Sequence, residues 1–102
     1  MKNIETIKSE LKQVKYYYYV YELFVGKSGS RLIPPDYIVA LVNEYSQRIF
    51  GAPIRLRMTF DNLYRLSKSQ KQYAQECGVT EKYIQILNKR IVNFFYESFN
   101  KE

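Results

Sequence analysis

The segment from Gln70 to Leu87 constrains this chain more than any other, because its small, glycine and apolar positions agree on one geometry. That geometry is a pair of helices crossing at a tight turn. Ala74 is small where the second helix would cross the first. Gly78 suits the left-handed residue that ends a helix. Thr80 can cap the helix that follows, its hydroxyl accepting from an otherwise unpaired amide. Tyr73, Cys77 and Val79 are expected to face the core, Val79 as the plug under the turn. Ile84 and Leu87 would form the buried side of the second helix.

This register resembles the helix-turn-helix superfamily of DNA-binding proteins and covers roughly a fifth of the chain. The resemblance implies a helix that reads duplex DNA, here the one from about residue 81 to 99, within a motif spanning about 69–99. With Ile84, Leu87 and Ile91 buried, the opposite side holds Lys82, Gln85, Ile86, Lys89 and Asn93 at about 100° per residue. Gln85 can bond an adenine edge, Lys82 and Lys89 can reach guanine acceptors or phosphates, and Ile86 can touch a thymine methyl. The bland alternative for these residues is an ordinary solvated face.

Charge supports an acidic partner. Residues 46–75 carry Arg48, Arg55, Arg57, Arg65, Lys68 and Lys71 against Asp61 alone, which accounts for five of the chain's six net positive charges. Such a local basic field is the footprint of phosphate contact. Arg55, Arg57, Lys68 and Lys71 are therefore expected to contact the DNA backbone.

The rest of the 102-residue chain reads as part of the same single domain, 1–102. Ile4, Ile7, Leu11, Val14, Tyr18, Tyr21 and Val25 recur three and four residues apart, a helical stripe. The run Tyr16–Tyr21 is rich in strand formers, so two readings stand: one helix over about 3–25, which the unbroken stripe favours, or a helix to 14 followed by a strand. Gly26–Ser30 is a turn, Pro34-Pro35 blocks a helix, and a second amphipathic helix runs from about Asp36 to Phe50. Ile54 to Phe60 alternates apolar and polar, which predicts a half-buried strand with Arg55 and Arg57 outward, or an extended lead-in to a helix capped by Asp61. The expected fold class is mainly α with a small β-hairpin, similar to a winged helix-turn-helix.

If Gly26 to Arg31 is a hairpin tip, Lys27 and Arg31 would be presented beside the reading helix like a wing. Together with the Arg55/Arg57 strand and the Ala74/Gly78/Val79 turn, this layout resembles the origin-of-transfer-binding accessory proteins of clostridial conjugative plasmids. That likeness implies a dimer that binds short repeated duplex sites and helps assemble other DNA-processing proteins. One departure is that a usual wing follows the reading helix, whereas here the chain after Lys89 continues as aromatic helix to Phe99. A wing would have to come from 16–33 or 46–60. The last two helices also resemble the promoter-reading domain of sigma-like factors, and a simple repressor fits as well.

Tyr83, Phe94, Phe95 and Phe99 exceed what one such motif needs, which predicts burial across a homodimer or against Tyr16–Val25. A reading from another class is a helical interaction module whose Ile4–Val25 stripe binds a partner protein. No His is present and Cys77 is the only cysteine, so a metal site and an enzymatic role are not expected, no cofactor is implied, and Cys77 reads as a small buried hydrophobe. Met1–Glu5 lacks the apolar core of a signal peptide and no 18-residue apolar run is present, so a cytoplasmic location with no membrane contact is expected.

Overall fold

The computed structural model describes residues 2–24 and 33–101, and every regular element among them is helical. Helix α1 (Ile4–Tyr17) begins where the Asn3 side chain accepts from the Thr6 amide at 2.8 Å. It continues as a π-helical segment, Tyr18–Phe24. Ile7, Leu11, Val14 and Tyr18 form its buried stripe. The single long helix therefore holds and the strand after residue 14 does not: burying one continuous stripe outweighs the strand preference of the tyrosine run.

Helix α2 (Asp36–Arg48) starts directly after Pro35, whose carbonyl accepts from the Ile38 and Val39 amides. Asp36 sits in the first turn, where the helix dipole favours its charge. A 3-10 turn, Ile49–Gly51, ends the segment.

Helix α3 (Ile54–Phe60) replaces the predicted strand and extends as a π-helical segment, Asp61–Arg65. Pro53 starts it by accepting from Leu56 and Arg57 amides, so Asp61 lies within the helical run rather than capping it. The alternation misled because a second pattern overlaps it. Leu56, Thr59, Phe60, Leu63 and Tyr64 are buried at helical spacing, while Ile54 and Met58 are 60% and 54% exposed. Fully buried Thr59 satisfies its hydroxyl by donating to the Arg55 carbonyl at 2.8 Å. The expected β-hairpin and winged arrangement are thereby corrected to an all-α fold: no strand occurs among the described residues. The Gly26–Arg31 tip, with Lys27 and Arg31, lies outside the described residues.

Ser67 at φ 54° breaks the chain, and Ser69 caps helix α4 (Gln70–Cys77) by accepting from the Gln72 amide at 3.0 Å. Gly78 takes φ 69° and closes α4 with two bonds, from its own amide to Gln75 O and from Val79 N to Ala74 O. Helix α5 (Glu81–Asn100) then runs as the central column against α1, α2, α3 and α4. No helix among the described residues is long and apolar enough to cross a membrane.

The core is aromatic. Phe95 meets Tyr45 and Phe60 edge-on at 4.7 and 5.9 Å between ring centroids, and Phe99 lies 5.2 Å from Tyr45. Phe95 and Phe99 are buried, and Tyr83 and Phe94 pack on the same core. The aromatic surplus thus packs on α2 and α3 of the same chain, in one core with Tyr18. The Ile4–Val25 stripe is likewise spent internally through Ile7, Leu11, Val14 and Tyr18.

Two tyrosines give this core an alkaline signature. Burial pushes the Tyr64 phenol up to about 12, against a hydrogen bond to Asn88 that lowers it. Burial and then the Glu10 carboxylate push Tyr45 up further. Folded values above the unfolded ones mean no loss below pH ~10 and falling stability as pH rises from there through the folded values. Ultraviolet absorbance titration should show at least two of the 11 tyrosines ionising only as the chain unfolds. Native-state ionisation of all of them near their ordinary value would contradict this packing.

Candidate nucleic-acid interface

The α4–turn–α5 unit buries four of the residues its sequence predicts in the core and leaves two exposed. Tyr73, Ala74, Ile84 and Leu87 are buried between the helices. Val79 and Cys77 are exposed. Val79 does not plug the turn: it stays exposed, and its amide closes α4 instead.

On α5 the solvent side carries Lys82, Gln85, Ile86, Lys89 and Asn93, with Arg90 beside them. No carboxylate stands between Lys82 and Asn93 on this helix. Gln85, Lys89 and Asn93 also line a groove of about 870 Å³ with Lys8 and Lys12 of α1 and Gln70 of α4. Tyr64 and Val92 line it as well, and the Tyr64 hydroxyl donates to Asn88 Oδ1, which ties α3 to α5. Among the described residues Glu5 is the one carboxylate lining this groove, 4.0 Å from Lys8.

Lys8, Lys12 and Arg90 were not among the residues the sequence singled out. Lys8 and Lys12 stand one turn apart, a legible cationic ridge, but only the packing of α1 along α5 makes them part of this groove.

The upstream cations are mostly committed elsewhere. Arg48 donates to Glu44, to the Ser98 carbonyl and to the Ser98 hydroxyl, and its guanidinium lies 4.0 Å from the Phe99 ring centroid. Arg65 pairs with Asp61 at 3.5 Å. Lys68 donates to Asn62 Oδ1 at 2.8 Å and Glu76 Oε1 at 2.6 Å, strapping the turn before α4 to that helix, and this bond holds the Glu76 carboxyl below its usual range. Thr80 acts as the α5 cap, accepting from the Tyr83 amide at 3.1 Å.

Arg55 and Arg57 do not share a face. A helix turns two successive-but-one residues about 200° apart, where a strand would align them. Arg55 donates to the Tyr83 hydroxyl at 2.6 Å, toward α5. Half-buried Arg57 lies in a separate groove with Tyr18, Ser46 and Asp61, its Nε buried and without a hydrogen-bond partner. Of the predicted backbone contacts, Lys71 is exposed in the first turn of α4.

The structure thus brings Lys82, Gln85 and Lys89 onto one side of α5, with Lys8 and Lys12 lining the same groove as Gln85 and Lys89, and leaves Arg57 apart. Among the described residues no group of His, Cys, Asp or Glu is placed to hold a metal ion. No family model, curated protein or solved structure matches this chain.

Proposed function

We propose that this protein binds duplex DNA sequence-specifically through the exposed side of α5. The observation that carries the reading is the helix pair closed on left-handed Gly78, which presents Lys82, Gln85, Ile86 and Lys89 on a carboxylate-free stretch. A helix fits the major groove of duplex DNA, where each base pair shows a distinct set of donors and acceptors. Gln85 supplies a bidentate side chain for an adenine edge. Lys82, Lys89 and, from the neighbouring helices, Lys71 and Lys12 supply charge for phosphates. The role that follows is a regulator or an accessory factor at a DNA locus, with α5 choosing the site.

Partner-protein binding through the α1 stripe finds no comparable support, because that stripe is buried in this chain's own core.

The test is a duplex selection from a random pool followed by binding measured against salt. Wild-type affinity should fall steeply as salt rises. Lys82→Ala with Lys89→Ala should weaken every duplex and flatten the slope of log affinity on log salt by about two. Gln85→Ala should instead relax discrimination at one base pair by about 1–3 kcal/mol. Absence of binding to any duplex at low salt sinks the proposal.

A further inference from the structure

A second surface lies around the end of α1. Tyr16, Tyr17 and Tyr21 of the α1 run face Pro35, Tyr37 and Ile38 at the start of α2, enclosing a cleft of about 470 Å³. The Tyr17 and Tyr21 rings lie 5.3 Å apart between centroids. Tyr16 and Tyr37 are 66% and 69% exposed, so both rings are open to a ligand. Lys12 lines the cleft too, and Lys15 joins Lys12, Tyr16 and Tyr19 in a shallow hollow on its other side. No carboxylate lines either among the described residues; Asp36 is Tyr37's chain neighbour but stands outside the lining.

From this pairing of exposed rings with lysines we infer that the cleft binds single-stranded nucleic acid, with unpaired bases on Tyr16 and Tyr37 and the phosphate chain along Lys12 and Lys15. Rings and lysines together match a polyanion whose monomers each offer a flat π face. In a duplex those faces are stacked inside and the tyrosines would be idle. In an unpaired strand they are free. Stacking also tolerates any base, so the cleft would add affinity without adding sequence choice. Ser9 and Lys12 line both this cleft and the groove beside α5, so the two surfaces adjoin on α1. The inference stands on the tyrosine cleft and not on the α5 face, and each can fail alone.

The experiment measures fluorescence anisotropy of labelled oligothymidylate and oligouridylate, each of about twelve nucleotides, beside a blunt duplex and a proline-rich peptide. Wild-type protein should bind the unpaired strand at low salt. Tyr16→Ala and Tyr37→Ala should each weaken it by about tenfold, whereas Tyr16→Phe with Tyr37→Phe, which keeps both rings, should hold affinity within about twofold. Lys12→Ala with Lys15→Ala should flatten the salt slope by about one. Asp36→Asn, removing the nearby negative charge, should tighten binding. Gln85→Ala with Lys89→Ala should leave the unpaired strand bound as tightly as before while changing duplex binding.

Equal binding of the two oligonucleotides would identify any unpaired strand as the ligand; preference for oligothymidylate would identify DNA. Both tyrosine positions are exposed, and an unchanged circular dichroism spectrum verifies that the alanine variants fold. Failure of wild-type protein to bind either oligonucleotide overturns the inference, as does wild-type affinity in both the Tyr16→Ala and the Tyr37→Ala variants. Binding of the proline-rich peptide without affinity for either strand also overturns it, assigning the cleft to a polyproline segment instead.

Discussion

Phe95→Ala should destabilise the fold by about 3–5 kcal/mol, read as a lower urea midpoint at unchanged slope. Phe95 is fully buried where α2 and α3 converge on α5, in edge contact with Tyr45, Phe60 and Phe94. Removing the ring takes away its transfer free energy and leaves a hole bounded by rings that cannot collapse without giving up their own edge-to-face geometry. Domains of this size hold about 5–15 kcal/mol in total, so the variant should be partly unfolded near physiological temperature. Duplex binding should fall only by the unfolded fraction, because Phe95 lies beyond the Lys82–Asn93 stretch. A cost under about 1 kcal/mol would mean that the aromatic cluster is not the centre of the core.

Ile7→Ala should cost about 2–5 kcal/mol by the same measurement. Ile7 is fully buried on α1, in line with Leu11, Val14 and Tyr18. The size of the effect decides between two accounts of the amphipathic stripe. If it closes the core, truncation opens a cavity under α1 and loosens the groove that α1 forms with α5. If it were instead a free face for a partner, the change would lie within about 0.5 kcal/mol for the isolated chain, as surface substitutions usually do. The closing contacts at the chain ends argue for the first account. The Lys2 ammonium lies 4.4 Å from the Phe99 ring centroid, and Asn100 donates to the Lys2 carbonyl at 3.0 Å. These tie the start of α1 to the end of α5.

Helix boundaries were legible wherever local chemistry sets them. Pro53, Ser69, Gly78 and Thr80 each act through the backbone of their own or the next few residues, and Gly78 and Thr80 do what their residue types suggest. Ile54 to Phe60 fits two periods at once, because seven residues are too few to separate a strand's alternation from a helical stripe. Extending the window to Tyr64 reveals Leu56, Phe60, Leu63 and Tyr64 as a helical stripe. That longer pattern was available in the sequence. The exposure of Val79 and Cys77 was not, since it depends on whether another element covers the turn.

The candidate site divides in the same way. Lys82, Gln85 and Lys89 could be placed on one side of a helix by arithmetic alone, because helical phase is a local property. Their company could not. Counting charge along the chain pointed to residues 46–75, but Arg48, Arg65 and Lys68 find Glu44, Asp61 and Glu76 and are spent on the fold. Lys8 and Lys12, far off in sequence, take the place beside Gln85 and Lys89. The sequence by itself determined where helices start and stop around Gly78 and which side of α5 meets solvent, since both follow from interactions a few residues long. Only the tertiary structure decided that α1 lies along α5, that the aromatic surplus fills this chain's own core, and which cations line the groove beside α5. Those depend on which helix packs against which, and pairing between distant residues is set by how all the apolar faces can be buried at once.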